Sequence, residues 1–391
     1  MPGLELNFSD EVCAETLADE KLLAAMARFE AALARASAKA GLVPEADAEA
    51  IARACADFRP EVAALARAAR SAGTLAIPFV EALKARVKAA SPSAARHVHA
   101  GATSQDVMET GMVLCLRPAC ERIDALALRL GDAAAELARR HASTPTAGRT
   151  LLQPALPVPF GYKAAIWLSA LARSLPAFRR AVAGACVLQF GGPAGTLSSY
   201  GDRAGAVEAA LAQELGLTLP AAPWHSARDG LARLGAEAAI LAGGAAKIAR
   251  DVSLLMQPEI GEASEAAPGG SSSMAHKRNP SRSLLALEAA QRTPGLAATL
   301  LAQLTPEHER GIGQWQSQWF TMRELLCASS SALAAMGEVL GTLQVDTAAM
   351  RANLERSAIP ASERGGDFGA AQAMIARVLE AWRATSRETA P

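Results

Sequence analysis

The sequence predicts an all-α protein, and three observations carry that expectation. Apolar residues recur at three- and four-residue steps over several long stretches. The alternation of β-branched and aromatic residues that a strand needs is almost absent, and aromatic residues make up only 4% of the 391. Between the periodic stretches lie polar islands rich in Gly, Ser, Asn and Pro, which neither propagate a helix nor bury well. With 51% hydrophobic and 20% charged residues, a chain of this length buries a large core, as one elongated unit or two to three compact ones.

Up to about residue 100 the pattern is of shorter helices. They are interrupted at GLVPEAD (41–47), at Pro60, at Gly73 and Pro78, and at SPSAAR (91–96), which suggests a separate N-terminal helical domain over 1–100. Five long helices follow, roughly Ser104 to His141, Phe160 to Leu188, Ser226 to Ile260, Arg282 to Leu304 and Gln316 to Leu343. The third is the clearest. Leu231, Leu234, Ala238, Leu241, Ala245, Ile248, Val252 and Leu255 form a heptad seam, and the small residues beside it, Gly243 and Gly244, predict close approach of another helix. Five such helices make a bundle, assigned to 101–345. After a polar break, PASERGGDFG (360–369), one more amphipathic helix near Ala370 to Arg383 completes a short C-terminal region, 346–391. No repeat of 20–50 residues is visible, which argues against a solenoid.

Several function classes are disfavoured by composition. Lys plus Arg equal Asp plus Glu at 39 each, so no global field points to nucleic acid or an anionic membrane. The N-terminus, MPGLELNFSDEVCAETLADE, is acidic where an export leader needs a basic region and then an apolar one. The charge-free run Ala181 to Gly201 is broken by Gly191, Gly192 and Pro193 and reads as helix end plus turn. A soluble cytoplasmic protein is expected. The six cysteines form no CxxC pair, and neither they nor the histidines show metal-ligand spacing, so no metal is expected and the thiols are read as small buried hydrophobes. GGPAGT (191–196) lacks the GK[ST] of a phosphate loop and reads as a turn.

Chemistry concentrates in the islands. In HVHAGATSQDVMET (97–110), Thr103 and Ser104 sit where they cap the following helix, whose N-terminus offers N–H groups to an anion; ordinary capping is the alternative. In AGRTLLQPALPVPFGYK (147–163), three prolines within six positions force an extended entry to the next helix. Arg149 is placed there for a substrate carboxylate or a structural ion pair, and Gln153 is a neutral donor and acceptor. PGGSSSMAHKRNP (268–280) ends a long apolar-poor loop and presents Ser, Lys and Asn together, which suits a functional lid better than a linker. His276 and Arg278 share it, facing substrate or solvent. EHERGIGQWQSQW (307–319) supplies Arg310, Trp315, Gln316 and Trp319; the two tryptophans, four apart, share a face, which more often means packing than stacking on a ligand.

The three islands fall in the order and spacing of the signature regions of the fumarase/aspartase superfamily, and GGSSSMAHKRNP resembles its GSSxMPxKxNP loop. Within it, GATSQDVMET, MARFEAALARASAKAGLVPEA (26–46) and EHERGIGQWQSQW most resemble the bacterial 3-carboxy-cis,cis-muconate cycloisomerases, over roughly residues 7–345. The resemblance implies a long-helix bundle, a homotetramer whose active sites each draw on three chains, a small polycarboxylate substrate, a place in protocatechuate breakdown, and no cofactor. It assigns Ser271 as catalytic base, Lys277 and Asn279 as carboxylate binders, and Thr103 and Ser104 as substrate binders. It also places His99 at an active-site histidine position of adenylosuccinate lyases, and Arg149, Thr150 and Gln153 in the second region. Two positions depart from the pattern. Leu151 stands where the amine-expelling lyases read GRTH, and Ala275 replaces the usual loop proline, which should loosen the loop. A cycloisomerase working in the lactone-opening direction expels a carboxylate, whose conjugate acid has a pKa of about 4 and which leaves unprotonated. An amine leaving group needs an acid. Leu151 and the WQSQW segment therefore favour the cycloisomerase over an adenylosuccinate-type lyase, and the intact Ser271, Lys277 and Asn279 argue against a catalytically silent helical scaffold.

Overall fold

The computed structural model describes residues 10–364 and 368–388; the first nine residues, where the reading against an export leader begins, and 365–367 within the polar break lie outside them. In chain order the α-helices are α1 (Glu11–Thr16), α2 (Asp19–Lys39), α3 (Glu45–Ala56), α4 (Val62–Ala72), α5 (Ala76–Ala90) and α6 (Ser104–Arg140). After the hairpin β1 (Pro145–Thr150) and β2 (Gln153–Pro159) come α7 (Phe160–Ala185), α8 (Ala204–Leu215) and α9 (Asp229–Leu255). Then follow β3 (Ala263–Ser264), α10 (Ser281–Ala302), α11 (Gln314–Thr342), β4 (Gln344–Val345), α12 (Thr347–Arg356) and α13 (Ala371–Arg387). The fold is all-α, as the periodicity predicts.

The bundle forms because α6, α7, α9, α10 and α11 each carry an apolar stripe that only another helix covers. All eight seam residues of α9 are buried. Within the chain, close approach occurs at Gly235, where an added Cβ would meet Leu300 Cδ1 at 2.3 Å; among the described residues nothing lies within 4 Å of a Cβ at Gly243 or Gly244. The intrachain contact thus falls at another glycine than the two the sequence argument named, because those two lie on the face of α9 turned away from the bundle. Pro78 is a second correction. It lies buried in the first turn of α5, where its missing N–H has no intrahelical partner to lose, so the interruption there is made by Gly73 alone, a left-handed C-cap at φ 70°. Among the described residues one helix, α11, is long and apolar enough to cross a membrane by length and composition, yet 67% of its apolar window is buried in the bundle.

The C-terminal helix is docked and not loose. Trp382 lies over Gly131 of α6 and donates from Nε1 to Asp132 at 2.8 Å. Buried Arg179 of α7 pairs with Asp124 and donates to the Thr385 carbonyl at 2.8 Å. A Cβ at Gly131 would sit 2.1 Å from the Trp382 ring. Gly131→Ala is therefore expected to cost about 1–3 kcal/mol by overpacking and to expose Trp382; a thermal melt followed by tryptophan emission reads both, and unchanged emission would show that the helix shifts to accommodate the methyl.

Candidate active site

At the N-terminus of α6, buried Asp106 organises the first island. Its carboxylate accepts from Thr103 N (3.0 Å), from Gly191 N (3.0 Å) and Gly192 N (2.9 Å), and contacts His225 Nε2 (2.8 Å). The turn expected at 191–196 is thereby tied to the α6 cap. Arg310, arriving from the loop before α11, donates to Thr103 Oγ1 (2.9 Å), to Gln105 Oε1 (3.0 Å) and to the Gly192 and Pro193 carbonyls. Thr103 and Arg310, far apart in sequence, are thus in contact.

Beneath them lies a buried polar layer that the sequence reading did not single out. Gln105 Nε2 donates to Glu109 (2.9 Å) and to the His225 carbonyl (3.0 Å), and Arg228 pairs with Glu109 at 2.5 Å and bonds Gln318. Burial raises the Glu109 carboxyl above its ordinary range, although Arg228 pulls the other way. Such a network holds its members in one arrangement, because any displaced group is left unsatisfied without water. Gln105, Asp106 and Gln318 stand inside two of the quoted islands, so the signal was present; the tertiary partners Arg228 and His225 were not.

His99 carries a left-handed backbone, φ 60°, and its Nδ1 lies 2.6 Å from Glu30 Oε1 of α2. The next residue is pinned by Tyr200, whose hydroxyl donates to the Ala100 carbonyl at 2.6 Å. Trp315 and Trp319 line an apolar groove of about 370 Å³ together with Leu22, Leu23 and Met108, the last one turn beyond Ser104. Both tryptophans pack there, as the shared helix face suggests.

The second island forms the β1–β2 hairpin. Its register slips at Gly148, where a Cβ would stand 2.6 Å from the Leu156 carbonyl. The two-residue tip is Leu151 and Leu152, both at positive φ (49° and 64°) and 96% and 73% exposed, with Gln153 beside them. Leucine at such a tip is strained and exposes apolar surface. Arg149 is committed to fully buried Glu262 through two bonds, Nη1–Oε2 at 2.8 Å and Nη2–Oε1 at 2.6 Å, and Thr146 and Asn353 complete that carboxylate. The structure thus places Arg149 in the structural ion pair, one of its two sequence alternatives.

The third island runs along the surface. Gly269 and Asn279 pair through both backbone bonds, and Asn279 Nδ2 donates to the Gly270 carbonyl at 2.7 Å, closing the loop at its base. Buried Glu265 caps α10 through Arg282 N and Ser283 N. Within the loop, Ser271 Oγ faces Met274 N (3.2 Å) and Ser273 N (3.4 Å), while His276, Lys277 and Arg278 are exposed.

These islands do not meet in one chain. Thr103 precedes α6 and Arg149 follows it, and 37 helical residues span roughly 55 Å. The Ser271 loop leaves α9 at the Arg149 end, where Glu262 pairs with Arg149. No described hydrogen bond joins Ser271, His276, Lys277, Asn279 or Gln153 to the Thr103–Arg310 cluster.

The lyase family model matches residues 7–295. The chain belongs to this lyase family, within the fumarase/aspartase superfamily. Among its relatives, the 3-carboxy-cis,cis-muconate cycloisomerase of Bradyrhizobium diazoefficiens is 48% identical over 86% of this chain and 75% of its own length. The nitrosuccinate lyase of Streptomyces davaonensis is 42% identical over 87% of this chain and 74% of its own. In structure, the 3-carboxy-cis,cis-muconate lactonizing enzyme of Pseudomonas putida superposes with a TM-score of 0.92 at 36% identity, covering 98% of this chain and all of that one. For this member of the lyase family the all-α fold is thus shared with its solved relative.

Proposed function

We propose that this lyase-family chain is a 3-carboxy-cis,cis-muconate cycloisomerase, interconverting that triacid and 4-carboxymuconolactone in protocatechuate breakdown. The observation that carries the reading is Leu151 at the hairpin tip, exposed where an amine-expelling lyase has its acid; similarity to several cycloisomerases at 44–48% identity supports it. In the lactone-opening direction, Ser271 takes a proton from the carbon next to a carboxylate, the electron pair passes into an enediolate, and the ring carboxylate leaves with its C–O electrons. Lactonisation reverses each movement, the Ser271 hydroxyl returning the proton to carbon. Two backbone N–H groups at Ser271 Oγ stabilise an oxyanion there. Lys277, Asn279, Thr103, Ser104, Gln153, His276, Arg310 and His99 are the proposed binders of the polyanion, with Trp315 walling the groove beside Ser104.

The roughly 55 Å between islands requires other copies of the chain to complete each site. A homotetramer with sites shared among three chains meets that need, and it gives cover to the outward face of α9 at Ile240, Gly243 and Gly244 and to exposed Leu284 and Leu301. Residues 1–100, 101–345 and 346–391 serve as rim, oligomeric core and docked cap, in the cytoplasm. A nitrosuccinate-type elimination is the second reading, favoured by the 42% relative. Purified protein added to 3-carboxy-cis,cis-muconate is expected to bleach its conjugated-diene absorbance, with nitrosuccinate and adenylosuccinate unchanged. Elimination from either of those, with the muconate untouched, would overturn the cycloisomerase.

A further inference from the structure

Glu30 has no counterpart among the polar islands. It sits in mid-α2, inside an apolar run, with its side chain fully shielded from solvent. Its Oε1 lies 2.6 Å from His99 Nδ1, and its Oε2 has no hydrogen-bond partner among the described residues. A carboxylate in that position is tolerated only beside a compensating charge, because water does not reach it. The groups facing the pair narrow the choice. Asp106 of α6 adds negative charge near His99, the Lys84 ammonium of α5 acts on the ring only weakly, Cys55 of α3 is a thiol pushed up to about 12, and the Tyr200 hydroxyl is spent on the Ala100 carbonyl. The ring of His99 is what remains to carry the compensating proton.

We propose that Glu30 is a positioning residue of the active site: its buried carboxylate holds His99 as an imidazolium, locks Nδ1, and leaves Nε2 as a fixed cationic donor for one carboxylate of the substrate. The ring exchanges no proton with carbon in this role, so it complements Ser271 and does not replace it. The strained φ of 60° at His99 fits a side chain held in place from several sides, by Glu30 through the ring and by Tyr200 through the next carbonyl. Burial by itself works against the charged ring; the charge of Glu30 and its hydrogen bond outweigh it and raise His99 above its ordinary value, with Asp106 assisting. The cation is therefore fully present below the ordinary histidine range and is lost as pH rises through the higher folded value. Without the Glu30 charge, burial prevails and the ring turns neutral.

The carboxylate-binding part rests on the proposed function; the charge state does not, and the experiment separates them. The assembled protein, with ¹³Cε1-labelled histidine in a deuterated background, is titrated by NMR, the His99 signal being assigned by its loss in His99→Asn. Its midpoint is expected above about 6.5 in the wild type and below that value in Glu30→Gln. A wild-type midpoint below 6.5, or equal midpoints in the two proteins, overturns the proposal; should Glu30→Gln not fold, the wild-type midpoint decides alone. In parallel, propane-1,2,3-tricarboxylate serves as a non-reacting probe. Glu30→Gln is expected to weaken its binding about tenfold at a pH between the two measured midpoints, where the wild-type ring is charged and the variant ring is not, and the two affinities are expected to converge below the variant's midpoint. Equal affinity between the two midpoints overturns the binding role. Failure to bleach the muconate, with the titration as expected, would count against the proposed function alone.

Discussion

Ser271→Ala is expected to lower turnover of 3-carboxy-cis,cis-muconate by roughly 10²–10⁴-fold, the usual worth of a positioned acid–base group, while melting temperature and assembly stay unchanged. The two halves of this result have separate physical causes. The catalytic loss follows from removing the atom that faces two backbone N–H groups at the head of the loop. The structural silence follows from its partners: the described hydrogen bonds of Ser271 Oγ stay within its own loop, and the loop is closed at its base by the Gly269–Asn279 pairing and by Glu265, none of which involves its hydroxyl. Size-exclusion chromatography, a thermal melt and a stopped assay on one preparation check all three. Turnover near the wild-type level would remove Ser271 from the base role and direct attention to His276 and Lys277 in the same loop.

Arg149→Ala is expected to behave in the opposite way, losing about 3–5 kcal/mol of stability because Glu262 is left as a buried charge without its partner. Thr146 and Asn353 remain as neutral donors to that carboxylate, and Asn353 also bonds the Ile260 carbonyl, so the damage should spread to α12 and to the β3–β4 pairing beside it. Arg149→Lys keeps the charge but loses one of the two parallel bonds and should fall between. Unfolding in urea resolves the three proteins. If Arg149→Ala instead melts like the wild type and only substrate affinity falls, the guanidinium leaves Glu262 for substrate in the assembled enzyme.

The contrast between these two residues shows how far the chain could be read unaided. Both stand in polar islands of equal chemical density, and both match the superfamily pattern; nothing in the one-dimensional neighbourhood of Arg149 reveals that Glu262, 113 positions later, already occupies it. Glu30 is the converse case. Surrounded by Ala, Phe and Leu on α2, it looks like a solvent-facing charge on an amphipathic helix, and only the fold turns it toward His99.

Periodicity by itself determined the class of fold, the five long helices to within a few residues, and the eight-residue seam of α9, because burial of an apolar stripe depends on spacing that the sequence states outright. Residue type in the islands pointed to the lyase family to which the chain belongs. The tertiary structure decided what spacing cannot express: which charges are already paired, that Gly235 is where α9 admits a neighbouring helix of its own chain, and that Thr103 and Arg310 come into contact. The reason is the same in each case, since an ion pair, a close approach and a shared site are relations between segments, and their energies depend on distances that only folding sets.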